Sequence, residues 1–180
     1  MIDERKILRM ERRWGAVVGI AVAIFIVVIV ASSFAMAIHP PSHVESIDPT
    51  TLGMSGEFAE GNLGTRVNPD GTVTVRMIAA QFAFVPRCIP VPKGRPVTIR
   101  ITSPDVIHGF IIAGTNANTM VVPGYVSEVR TVFNDAGDHI MPCHEFCGLG
   151  HAEMWALMRV ISQSEWRPGE DGRASCEIPR

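Results

Sequence analysis

The segment Cys143-His-Glu-Phe-Cys-Gly-Leu-Gly-His-Ala-Glu-Met154 places two thiols four residues apart, an imidazole four residues further on and a thioether three beyond that. A bare C-x3-C pair could close a disulfide, but that use leaves His151 and Met154 idle. Thiolate, thioether and imidazole together are soft donors of the kind that select copper, whereas carboxylate-rich sets select calcium or magnesium. Zinc would accept two cysteines and two histidines, again leaving Met154 without a role. An upstream nitrogen is available from His108 in Asp105-Val-Ile-His-Gly109. Taken alone, a histidine between Ile107 and Phe110 reads as a hydrogen-bonded, partly buried residue. Mononuclear electron-transfer copper uses one thiolate, two imidazoles and a weak axial thioether. One copper would therefore leave a cysteine over. Two coppers bridged by both sulfurs would use every donor, with His108 and either Met154 or His151 terminating opposite ends.

Such a cluster needs a stiff frame. After the turn Asn68-Pro-Asp-Gly71, β-branched residues dominate and the spacing becomes that of strands: 72–79, 97–102, 108–112, 126–133, 139–141 and 155–161. Between them Pro90-Val-Pro-Lys-Gly94, Pro123-Gly124 and Asp135-Ala-Gly137 read as turns. A short helical turn fits only within 143–154. Many short strands in so few residues predict a small antiparallel sandwich or barrel whose end loops carry the site.

The remaining chain supplies an anchor. Residues 14–38 contain no charged side chain and, as a helix, are long enough to cross a bilayer. Ala35-Met36-Ala37 also has the form of a signal-peptidase site, but the apolar run exceeds a normal signal core, so a retained span is the reading adopted. Residues 1–13 carry five Lys/Arg against three Asp/Glu, and the chain totals 16 against 18, so residues 14–180 carry 11 against 15, a net charge of minus four. This asymmetry predicts a cytoplasmic N-terminus and an external globular part. With no Lys/Arg cluster outside the N-terminal segment, nucleic acid is excluded as a partner. Gly15, Gly19 and the alanine-rich faces of the span suit packing against other helices. The expected organisation is 1–13 cytoplasmic N-terminus, 14–38 transmembrane helix, 39–70 linker, 71–162 metal domain and 163–180 tail.

Four motifs together resemble subunit II of the haem–copper cytochrome c oxidases: Ser103-Pro-Asp-Val-Ile-His-Gly-Phe110, Gly114-Thr-Asn116, Val122-Pro-Gly-Tyr-Val126 and the Cys143–Met154 segment. The single N-terminal helix makes the chain most similar to the short ba-type branch. The resemblance implies an all-β, cupredoxin-like Greek-key sandwich or barrel after one membrane helix, and a dinuclear copper centre, CuA. It implies that Cys143 and Cys147 bridge two copper ions, with His108 and Met154 completing one, and His151 with the backbone carbonyl of Glu145 the other. Phe110, Phe146, Leu149 and Trp155 would form an apolar surround, Phe146 and Trp155 being the better candidates for contact with a partner. His144 matches no ligand position and is read as exposed. Asp105 is read either as orienting its loop through backbone hydrogen bonds or as a plain turn residue.

The implied function is to take one electron at a time from cytochrome c outside the cell (inner) membrane and pass it to a haem in the catalytic subunit I. That subunit reduces O2 to water with proton translocation, and other small membrane subunits would accompany it. Glu11 matches a carboxylate at the proton-uptake mouth in the ba-type branch, although a helix-flanking charge explains it as well. The chain has Gln81-Phe-Ala-Phe84 where mitochondrial-type members carry tryptophan-rich aromatics. Cys88 and Cys176 correspond to nothing in the family pattern and are expected to pair, since an external compartment permits disulfides. Competing functions are an electron-transfer subunit of a nitric oxide or nitrous oxide reductase and a copper-binding assembly protein. A purely structural subunit of the quinol-oxidase kind would lack the thiolates.

Overall fold

The computed structural model describes residues 4–36, 45–54 and 56–178. They fall into two units, 1–43 and 44–180.

The first unit is one helix, α1 (Glu4–Met36). It starts ten residues ahead of the apolar run, taking in the charged N-terminal segment. Within it, Glu4–Ser32 has a mean hydropathy window of 2.9, and none of that window is buried by protein. An apolar helix of this length is long enough to cross a bilayer. The end of the expected span at 37–38 and the first residues of the expected linker, 39–44, lie outside the described residues.

The second unit is a β-sandwich. Its strands are β1 (Gly64–Val67), β2 (Val73–Ala80), β3 (Ala83–Val85), β4 (Cys88–Pro92), β5 (Pro96–Thr102), β6 (His108–Ile111), β7 (Asn118–Val121), β8 (Ser127–Val132), β9 (Gly137–Pro142), β10 (Trp155–Ile161) and β11 (Arg173–Ala174). One sheet runs β11-β1-β2-β5-β8 with β3 paired to β2, a second runs β4-β10-β9, and β6 and β7 form a hairpin. The expected all-antiparallel arrangement is corrected: β2 pairs β5 in parallel, and β4 pairs β10 in parallel. Parallel neighbours need a crossover, and here β3 and β4 supply it, carrying the chain from the first sheet to the second before β5 returns. Such crossing connections make the sandwich a Greek-key, cupredoxin-like one.

Alternation builds the core. Val73, Val75, Met77 and Ala79 of β2, Val97, Ile99 and Ile101 of β5, and Ala156, Met158 and Val160 of β10 all point inward and are buried. Each such side chain contributes about 1.5–3 kcal/mol if large. β4, whose prolines read as a turn, is instead a fully buried strand at the edge of its sheet. Proline lacks the N–H for a second neighbour, so an edge is where a strand can hold Pro90 and Pro92.

Two segments read as appendages pack on the sandwich. Ser46 bridges Tyr125, Glu57 meets both Arg76 (3.0 Å) and Arg100 (2.6 Å), and Phe58 is fully buried, so residues 45–67 do not act as a free linker. Burial alone would push the Glu57 carboxyl up, but the two guanidiniums hold it below the ordinary range. Arg100, which also meets Glu45 and Glu128, is driven to still stronger basicity by this company. The tail is fastened by pairing of β11 to β1 and by the disulfide Cys88–Cys176, which joins residues 88 apart in sequence.

Candidate metal centre

Two segments of the sandwich supply the donors, the start of β6 and the loop between β9 and β10. His108 opens β6, where β-branched and aromatic neighbours commit the chain to a buried strand, and it is fully buried. Cys143 follows β9 and bridges Phe110 of β6, while its N–H donates to the Met154 carbonyl at 2.9 Å, just before β10 begins. The ligand loop is therefore closed at both ends by strands β9 and β10. Between them Gly148 and Gly150 turn the chain, and a short helical turn, His151–Glu153, aims the last donors inward.

The sulfurs of Cys143 and Cys147 and a ring nitrogen of His108 lie within 4.8 Å of one another. Cys147 Sγ stands 3.6 Å from Met154 Sδ and 3.6 Å from His151 Nδ1. Cys143 Sγ stands 3.3 Å from the Glu145 carbonyl oxygen. All six groups singled out in the sequence thus converge, and Glu145 does so through its main chain.

The electrostatics suit a cation. The two cysteines are buried and unlinked, although the same chain forms a disulfide elsewhere. Burial, reinforced by Cys143 beside it, pushes the Cys147 thiol up to about 11. Two adjacent thiolates are costly without positive charge, so a metal would bind with proton release. His108 is the sharpest indicator. Its Nε2 faces Asp105 Oδ1 at 2.9 Å, while its buried Nδ1 has no hydrogen-bond partner. A neutral imidazole that donates from Nε2 presents a lone pair at Nδ1, so the orphaned atom fits a metal ligand. Soft sulfur donors beside imidazole make copper the fitting ion.

Asp105 is more than a turn residue. Burial works against its ionisation, yet the N–H groups of Gln81 and Val106, the His108 ring and the Ser103 hydroxyl hold its carboxyl below the ordinary range. An acid three residues ahead of a candidate ligand was the available signal for this pairing. Gln81 gave no such signal. Its contact with the Cys147 carbonyl joins residues 66 apart in sequence.

The expected apolar surround is only partly present. Phe110 is fully buried, but Leu149 is wholly exposed and Phe146 is 74% exposed, its ring edge-on to His151 at 5.8 Å. Trp155 is half-buried beneath the Arg87 guanidinium at 4.1 Å. His144 is exposed, and its ring lies across Gly109 where a side chain would otherwise stand. Glu11 is exposed on α1, in the separate helical unit.

Comparison with known proteins points one way. Residues 72–161 match the family described as cytochrome c oxidase subunit II, periplasmic domain. A cytochrome c oxidase subunit 2 of Thermus thermophilus is 36% identical over 169 residues, covering 89% of this chain and 99% of the relative. A second Thermus thermophilus cytochrome c oxidase subunit 2 is 40% identical over 121 residues, covering 67% of this chain and 90% of its own length. A chain in a cryo-EM structure of a haem–copper terminal oxidase dimer superposes with a TM-score of 0.64 at 28% identity, covering 84% of this chain and 99% of that one.

Proposed function

Because the chain belongs to the cytochrome c oxidase subunit II family, we propose that it is the electron-accepting subunit of its oxidase and that His108, Cys143, Glu145, Cys147, His151 and Met154 hold a dinuclear copper centre. It is a membrane subunit of a haem–copper terminal oxidase and associates with other oxidase subunits. In this reading residues 14–38 cross the inner membrane with the N-terminus in the cytoplasm, and the copper domain, 71–162, lies outside with residues 45–67 and the tail packed on it. Cytochrome c is the donor, and the acceptor is a haem in the catalytic subunit, where O2 is reduced and protons are moved.

The observation that carries the proposal is the convergence of two unlinked buried thiols on a buried imidazole whose Nδ1 has no partner. When held by these residues, a dinuclear copper centre would supply a one-electron relay that spreads the transferred charge and so reorganises little. The protein's part is to keep the remaining reorganisation small. Asp105 holds the proton on His108 Nε2 and so fixes which nitrogen points inward. Phe110, Met141 and Ala156, all fully buried, exclude water behind the site. The hydrogen bond from Cys143 N–H to the Met154 carbonyl fixes the two ends of the ligand loop against each other. In this reading the domain relays electrons, and oxygen chemistry belongs to the catalytic subunit.

Electron paramagnetic resonance of the purified oxidase tests this directly. One electron shared equally by two copper nuclei of spin 3/2 gives seven hyperfine lines. A four-line pattern, or no copper signal from this subunit in any redox state, would overturn the proposal.

A further inference from the structure

We propose that Gln81 is a positioning residue of the metal centre, locking the segments that carry His108, Cys147 and His151 into one arrangement and thereby tuning the centre's potential. The inference rests on the dinuclear copper reading. Gln81 lies in the turn between β2 and β3, remote in sequence from every ligand. Its main-chain N–H donates to Asp105 Oδ2 at 2.7 Å, and the other oxygen of that carboxylate meets His108 Nε2 at 2.9 Å. Its side-chain Nε2 donates to the Cys147 carbonyl at 2.5 Å. One residue therefore ties the His108 segment to the Cys147 segment through two hydrogen bonds of its own, and Asp105 carries the first of them on to His108.

The adjacent Phe82 extends the tie to the third segment. A Cβ on Gly150 would stand 2.5 Å from Phe82 Cγ, and one on Gly148 would stand 2.9 Å from Phe82 Cε1. The ring is seated on the backbone that leads into His151, and only glycine leaves room for it there. Because Phe82 is 39% exposed, this seat also reaches the surface.

The chemistry requires an amide of this length. Glutamate at 81 would turn a carboxylate oxygen toward the Cys147 carbonyl, replacing a donor–acceptor contact with two acceptors. Alanine would leave the carbonyl free to swing. In either case the peptide dipole beside a thiolate ligand changes direction, and hydrogen bonding around ligand sulfurs is one of the levers that set a metal centre's potential. A looser loop also enlarges the rearrangement that accompanies each electron. The main-chain bond to Asp105 survives both substitutions, so the side-chain tie can be tested separately.

The experiment compares the parent oxidase with Gln81→Glu and Gln81→Ala forms by spectroelectrochemistry and electron paramagnetic resonance, and measures amide exchange in the copper-free subunit. Gln81 is exposed, so both variants are expected to fold and to bind copper. The expected result is a shifted midpoint potential and altered hyperfine splitting in both, with amide exchange at 147–151 faster by about fivefold to tenfold, as loss of one hydrogen bond predicts. Unchanged potential, splitting and exchange in both variants would overturn the inference, whatever happened to thermal stability. A four-line spectrum from the parent would instead overturn the dinuclear reading, and the exchange measurement would still decide whether Gln81 holds the ligand loop.

Discussion

At the scale of single residues, the centre divides its donors by what each can lose. Cys147 lies 3.6 Å from both Met154 Sδ and His151 Nδ1, and in the proposed centre it bridges both metals. Cys147→Ser is therefore expected to abolish the two-copper spectrum and oxidase turnover. A thioether is a weak ligand, so Met154→Leu should retain copper with a displaced potential and an altered spectrum, read by the same two methods. Glu145 points its carbonyl at Cys143 Sγ, and Glu145→Gln, which keeps the main chain, should leave the hyperfine pattern intact. The soft side-chain donors could be picked out from residue types and spacing, whereas the Glu145 carbonyl and the division of the ligands came only from the family resemblance. Which nitrogen of His108 faces the metal could not be read that way. That choice is made by Asp105, and it becomes visible only when Nδ1 is found buried without a partner.

Strands and straps make up the next scale. β10 was legible from its alternation alone, with boundaries 155–161 as expected. β4 was not, because Pro90 and Pro92 signal a turn in sequence and an edge strand only once β10 lies beside it. The expected linker 39–70, whose Gly, Ser, Pro and Asn content reads as a linker or a segment laid on a neighbouring protein, includes Glu57 and Phe58, which find their partners only in the folded sheet. Arg100 holds this strap through Glu45 and Glu57, and meets Glu128 of β8 as well. Arg100→Met, which leaves Glu57 half-buried with one partner fewer, should cost about 1–3 kcal/mol of domain stability, measured by thermal unfolding of the subunit in detergent. The sign of the pH dependence follows from Glu57, whose folded pKa is depressed. Its contribution is fully present above the unfolded value of about 4.3 and is lost as pH falls through the lower folded value. Glu57→Gln should flatten that part of the acid unfolding curve, and a curve identical to the parent's would count against the strap.

The whole molecule joins a site that must stay reduced at Cys143 and Cys147 to a disulfide that must form between Cys88 and Cys176. Closing a loop of this length restricts the unfolded chain by about 4.6 kcal/mol in the entropic account. The double substitution Cys88→Ala with Cys176→Ala should lower the thermal midpoint and loosen the tail, yet leave the copper spectrum unchanged, because the disulfide fastens β4 and the tail and touches no ligand. Sequence by itself marked the apolar helix, the strand-rich second unit and the cluster of soft donor types, since each depends on composition and on spacing along a few residues. Tertiary structure alone decided the parallel pairings, the docking of 45–67, the exposure of Leu149 and Phe146, and the ties from Gln81 and Asp105. Those depend on contacts between residues tens of positions apart, where the fold brings together groups whose types and local spacing carry no mark of their partners.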